Sequence, residues 1–360
     1  MRASSEAESS DFTDLPIILV TAGTSSDLWE RLYAWRHPPD TVMIYTQACQ
    51  AVSNRVHVVP LDQFVEARFQ AKFQDKAGLV VDIVGGLFDV ELIGLPASIA
   101  KSLDMPCFPA GNKNYVTTHD KLLGKHLAQS VGLNVPRTIS GADLDCYDGS
   151  VIQKPICGGD SVGITQFDTW QIGRRPPVGS FVEEFQEGHD ATIHLIRNAD
   201  AKTYSVIDHI VTDGLPNRWF DAEMKGDANR LYSVEREPTN RYRYQDGLSD
   251  MLASSFTDLM ALAGHPFVGR IDVRQLKSEG TIGVEDVKFL ELNVAPTVSN
   301  ANNWYDGIAD AYWNQEAFAA VRDLPIHPAA KSLAVMFREF YAQSLSIQGN
   351  RPVRDENRPN

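Results

Sequence analysis

The chain is poor in several features that mark large protein classes. Its four cysteines (Cys49, Cys107, Cys146, Cys157) lie far apart in 360 residues, with no CxxC pair and no Cys/His ligand spacing. That argues against a zinc module and against a disulfide scaffold, and free thiols suit a reducing cytosol. No run approaches the ~18 apolar residues of a membrane-spanning helix. No basic run or aromatic–basic interleaving occurs, and charge leans one way: 33 Lys and Arg stand against 47 Asp and Glu, a net −14. Broad contact with nucleic acid or anionic membrane is therefore not expected. The opening MRASSEAESSDFTD is polar and acidic, without the apolar core of a signal peptide, so the expectation is a cytoplasmic protein.

What is present is a globular composition, 43% hydrophobic, in a chain long enough for two or three compact domains. LPIILVTAG, VMIYTQ, VHVVPL and GLVVDIVGG read as buried strands, with SSDLWERLYAW and FVEARFQAKFQ as helices. That alternation predicts a parallel sheet near the start of the chain. A second unit opens with TTHDKLLGKHLAQSVGLNVP, a helix that Thr117 or Thr118 can cap and that Gly132 and Pro136 end. Asp120 reads as an acid at a helix terminus. SVIQKP, SVGITQF, SFVEEF, ATIHLI and TYSVIDHIV then read as antiparallel strands. The polar segment 211–241 reads as a long loop, either a functional lid or disordered. A helix (LSDMLASSFTDLMALAG), a hairpin and a closing helical region follow. The ends, 1–14 and 347–360, are expected to be disordered. Between them the expected units are 15–113, 114–190 and 191–346, α/β followed by α+β halves facing each other across a cleft.

The richest stretch is GRIDVRQLKSEGTIGVEDVKFLELNVAPTVS, Gly269 to Ser299. Two apolar runs flank the turn Lys277-Ser278-Glu279-Gly280, the pattern of a β-hairpin. Alternation puts Arg270 and Asp272 on one face of the first strand, with Ile271 and Val273 on the other. On the second strand Glu291 and Asn293 share a face, while Leu290 and Leu292 point away. Two carboxylates, a carboxamide and a guanidinium on one surface suit a hard cation such as Mg²⁺. A half-solvated hairpin with ordinary surface charges has the same pattern, and the residues alone leave both readings open.

KPICGGDSVGIT, Lys154 to Thr165, is a strand, a glycine-rich turn and a second strand. Glycines let backbone amides approach phosphate oxygens closely, but a plain Gly-Gly hairpin reads the same way. GK[ST] is absent, so this is no Walker loop. FVEEFQEGHD carries acids at Glu183, Glu184, Glu187 and Asp190, a pattern that an edge strand with surface acids also shows.

Taken in order, these motifs resemble the ATP-grasp superfamily, nearest to its D-alanine–D-alanine ligase branch. RID, a turn and FLELNxxP resemble that family's metal hairpin, and THDKLLGKHLAQSVGLNVP resembles its MDK-containing helix. The resemblance implies an ATP-grasp fold with an N-terminal Rossmann-like parallel-sheet domain. It implies ATP as nucleotide and two magnesium ions, with manganese as an alternative, held by Asp272, Glu291 and Asn293. Lys121 and Lys154 would reach the phosphates, and FDAEMK would deliver Lys225 to the terminal phosphate. Glu183 would meet the adenine amino group, the backbone around Glu184 to Gln186 the adenine edge, and Asp190 the ribose. Arg270 would stabilise the oxyanion, and Ser161 would lie in the phosphate loop near it. Asp27, Ser299 and Asn302 fall where amino-acid substrates bind. Asp160 replaces a serine usual in that loop, and the HGxxGEDG segment is replaced by DIVGGLFDVELIG. The implied activity is an ATP-dependent carboxylate–amine ligase of specialised or peptide metabolism, acting on amino-acid-like substrates through an acyl phosphate. The alternatives are an authentic D-alanine–D-alanine ligase and an ATP-grasp kinase phosphorylating a hydroxyl. The related ligases are commonly dimers, which makes a homodimer the expectation.

Overall fold

The computed structural model describes residues 12–22, 39–74, 76–84, 92–159, 163–212, 242–244, 247–277, 279–294 and 315–349. The calls on Asp27, Asp160, Ser161, Lys225, Ser299 and Asn302, and on the SSDLWERLYAW helix, lie outside these residues.

The first sheet holds β1 (Ile17–Thr21), β2 (Val56–Pro60), β3 (Leu79–Ile83) and β4 (Cys107–Phe108), parallel and in the order β2-β1-β3-β4. Successive residues of β1 enter two different cores. Ile18 and Val20 pack with the chain's central cluster, and Ile17 and Leu19 with a second cluster on the other face. A strand covered on both faces reads as an unbroken apolar run, which is why LPIILV is legible as one.

VMIYTQ is not a strand. It lies in helix α1 (Pro39–Val52), whose buried residues Thr41, Tyr45, Ala48, Cys49 and Val52 recur at helical spacing. The β-branched and aromatic residues VMIYT suggested a strand; the longer period over fourteen residues decides for a helix, because burial of one stripe outweighs local propensity. FVEARFQAKFQ is not one helix: its Phe64 ends α2 (Leu61–Phe64), and only Ala67–Gln70 within it form a helix, α3. Helix α4 (Leu95–Ser102) leads into β4.

Helices α5 (Asn112–His119) and α6 (Lys121–Ser130) correct the capping expectation at Thr117 or Thr118. Asp120 is the cap of α6, accepting from the amides of Leu122 at 2.9 Å and Leu123 at 3.0 Å. After α7 (Gly141–Leu144), strands β5 (Val151–Pro155), β6 (Thr165–Phe167) and β7 (Ser180–Glu184) form a small antiparallel sheet, order β6-β5-β7, over a core of its own around Trp170 and Val182. The largest sheet holds β8 (His189–Arg197), β9 (Tyr204–Thr212), β10 (Tyr242–Tyr244), β11 (Val268–Gln275) and β12 (Val287–Asn293), in the order β10-β9-β8-β11-β12. Its apolar face packs on α8 (Asp250–Leu262) and joins the central cluster.

Helices α9 (Gln315–Arg322) and α10 (Pro328–Gly349) close the described chain. Helix α10 packs against α1, so the far end of the sequence completes the core of the first sheet. Two described parts of the stretches expected to be disordered carry secondary structure. Phe12–Asp14 form a 3₁₀ turn whose Phe12 ring meets Tyr341 edge-on at 5.7 Å, and α10 continues through 347–349. All four cysteines are free thiols. No helix among the described residues is long and apolar enough to cross a membrane.

Candidate active site

The hairpin brings the expected groups together, with one irregularity that matters. In the β11–β12 register Arg270 faces Asn293 and Asp272 faces Glu291, but Val273 faces Phe289. Leu290 is therefore an extra residue, a β-bulge. Val287 and Phe289 are buried in the core, and unbroken alternation from them would carry Glu291 and Asn293 to the core side too. The bulge shifts the phase by one residue. Leu292 takes the core position, and Glu291 and Asn293 emerge beside Asp272. Leu290, expected to point to the core with Leu292, is only half-buried.

On this face Asp272 accepts from Arg270 Nη2 at 2.9 Å, from Asn293 Nδ2 at 3.0 Å and, through its other oxygen, from Thr192 Oγ1 at 2.9 Å. The same Asn293 nitrogen lies 3.2 Å from Glu291 Oε1. Carboxylate oxygens from two strands thus face one point. A half-turn of the carboxamide presents its oxygen there as well, so the three side chains fit a hard, oxygen-seeking cation. Among the described residues no group of three or more His, Cys, Asp and Glu side chains gathers as a metal centre; the hairpin offers two carboxylates and an amide. Lys121 Nζ stands 3.6 Å from Glu291, and Arg270 lies 3.9 Å from it, so cations already balance the carboxylates.

Lys121 opens α6 and is 6% exposed. Its Nζ donates to Gly158 O, and its amide donates to Ile156 O at 2.9 Å. Asp120 and Cys157 form a β-bridge beside these contacts. One helix terminus is thereby tied to both the glycine-rich turn and the hairpin. His119, just before it, has its pKa pulled down to about 4, chiefly by burial and next by Lys121, against opposing pulls from Glu291 and Asp120.

One turn further along α6, Lys125 ion-pairs with Glu183 at 2.5 Å, and Lys154 takes the other Glu183 oxygen at 2.5 Å. Glu183 is 2% exposed. Its alternate neighbour Glu184 turns the other way, accepting from the Arg137 amide at 3.0 Å. The amides of Glu184 and Phe185 are bonded to Arg137 O at 3.0 Å and Ser150 O at 2.9 Å. Of the backbone expected at an adenine edge, those two donors are committed within the protein.

Gln186 and Asp190 are joined by a residue that the sequence reasoning did not single out. Arg274 donates from Nε to Gln186 O and from Nη1 to Asp190, both at 2.8 Å, with its guanidinium 5.2 Å from the Phe185 ring centroid. It shares the strand face of Arg270 and Asp272, two residues beyond, and that spacing was the available signal. Lys125 was likewise signalled by its position four residues after Lys121, on one helical face. A third omission is His194, which pairs with Arg270 in register and bonds Asp208 at 2.5 Å.

The site is therefore carried by two rods: α6 with Lys121 and Lys125, and β11 with Arg270, Asp272 and Arg274. Solved structures share this framework. D-alanine–D-alanine ligase from Bacillus anthracis, complexed with ATP, superposes with a TM-score of 0.56 at 14% identity, over 94% of this chain and 100% of that one. The fold is ATP-grasp. D-alanyl-alanine synthetase A from Vibrio cholerae shares the ATP-grasp framework with a TM-score of 0.55 at 13% identity, covering 89% and 99% of the two chains. VanG D-Ala:D-Ser ligase from Enterococcus faecalis does so with a TM-score of 0.54 at 14% identity, covering 92% and 100%. No family model matches the chain, and no curated protein matches it in sequence.

Proposed function

We propose that this protein is an ATP-dependent carboxylate–amine ligase, which activates an amino-acid-like carboxylate as an acyl phosphate and joins it to an amine, releasing ADP and phosphate. The observation that carries this reading is the gathering of Asp272, Glu291, Asn293 and Arg270 on one bulged hairpin, with Lys121 of α6 beside them. An ATP-bound ligase of the same fold supports it.

Asp272, Glu291 and Asn293 would hold magnesium, which when bound neutralises phosphate charge and aligns the terminal phosphoryl group. The remaining work falls to the chain's own residues. Lys121 and Lys154 would receive phosphate oxygens, by exchange with the internal acceptors that now hold them. Asp190 takes the ribose hydroxyls, oriented by Arg274. Arg270 offers its guanidinium to the oxyanion formed when an amine attacks the acyl phosphate. Phosphoryl transfer needs alignment and charge compensation more than covalent help, and this set supplies both. Lys225, Ser161, Asp27, Ser299 and Asn302 complete the reading as phosphate, loop and substrate residues.

Product analysis tests it. A ligase releases ADP and phosphate only when an acid and an amine are both present, a kinase leaves phosphate on its acceptor, and a non-catalytic binder releases little. Glu291→Gln and Arg270→Ala should each abolish turnover in folded protein. Near-wild-type turnover in both would refute the assignment.

A further inference from the structure

Two lysines share one carboxylate beneath the nucleotide site. Lys125, Lys154 and Glu183 are 4%, 7% and 2% exposed, so two lysines share a single carboxylate where water scarcely reaches. Burial pulls the Lys125 pKa down, against the opposing pull of Glu183. The two lysines are anchored differently. Lys125 stems from the body of α6, donates also to Thr138 Oγ1 at 3.2 Å and lies 5.4 Å from the Phe181 ring centroid. Lys154 sits near the end of β5, where the strand passes into the glycine-rich turn. One partner of Glu183 is fixed, and the other stands at the edge of a segment suited to phosphate.

We infer that Lys125 is the standing counter-ion of Glu183, and that it frees Lys154 to exchange Glu183 for a nucleotide phosphate. This rests on the nucleotide reading above. A buried carboxylate that loses its last cation is strongly penalised. With Lys125 in place, Glu183 keeps a partner when Lys154 moves; without it, Lys154 is retained by Glu183 and withheld from phosphate. Lys125 is thus a positioning residue that sets phosphate affinity without touching the ligand.

Calorimetric titration of the full chain with ADP and with adenosine, each with Mg²⁺, tests this. Lys125→Met should weaken ADP binding by about tenfold, equivalent to ~1.4 kcal/mol, while adenosine affinity holds. Lys125→Arg should restore ADP binding. In a Glu183→Gln background no carboxylate needs a counter-ion, so adding Lys125→Met should change ADP affinity little. That last comparison keeps the inference open to refutation even if Lys125→Met alone fails to fold. Parallel losses for ADP and adenosine, or a full further loss in the Glu183→Gln background, would overturn the inference as general structural damage. Wild-type protein that binds neither probe removes the nucleotide reading and this inference together. Wild-type binding left unchanged by Lys125→Met removes this inference alone.

Discussion

Replacing Arg274 with methionine should loosen the turn from Gln186 into β8, where Asp190 lies. Arg274 is 2% exposed, and among the described residues its guanidinium makes two bonds of 2.8 Å, one to the Gln186 carbonyl and one to the Asp190 carboxylate. Hydrogen bonds involving a charged group contribute ~1.5–3 kcal/mol each, which gives a gross loss of ~3–6 kcal/mol. Methionine keeps most of the aliphatic stem, and removing a buried guanidinium relieves its desolvation, so part of that loss is returned. The net expectation is ~2–4 kcal/mol of destabilisation, or a fall of roughly 5 °C in the thermal midpoint. Differential scanning calorimetry reads the midpoint, and ADP titration below it reads the site. Arg274→Lys should rescue neither, because one ammonium cannot span the two acceptors that a planar fork reaches. A methionine variant with unchanged midpoint and unchanged ADP affinity would show that Arg274 does not brace this turn.

Other consequences are open to the same instruments. Gly188 holds φ at +128°, and a Cβ there would lie 2.4 Å from Gln275 O; Gly188→Ala should destabilise by ~1–3 kcal/mol, measured by urea denaturation. Asp82, at the end of β3, has its pKa raised to about 6 by burial, against the ordinary 3.8. Its folded state holds the proton more tightly than the unfolded chain, so the stability it lends is complete below about pH 4 and is lost as pH rises to about 6. Asp82→Asn should flatten that part of the stability–pH profile, by up to ~3 kcal/mol relative to wild type. Superimposable profiles would refute the assignment.

Much of the site could be read from local pattern. Strand alternation alone put Arg270 and Asp272 on one face, and the order of glycine-rich turn, acidic strand and hairpin pointed to the fold. The first reading rests on short-range stereochemistry, a period of two along a strand that any local segment expresses; the second rests on the resemblance of the ordered motifs to the ATP-grasp ligases. VMIYTQ shows where that legibility ends. Its residues favour a strand, yet it is helical, because the stripe from Thr41 to Val52 is buried against α10, nearly three hundred residues away.

The groups that complete the site came from such distant encounters. Leu290 bulges because Val287, Phe289 and Leu292 must all reach one core, and that demand brings Glu291 round to Asp272. Lys125, Lys154 and Glu183 come from a helix and two strands, and no local pattern pairs them. Sequence spacing determined which side chains could share a face; three-dimensional packing decided which faces met. Buried charge is tolerated only beside its partner, and partners distant in sequence can be supplied only by the folded chain.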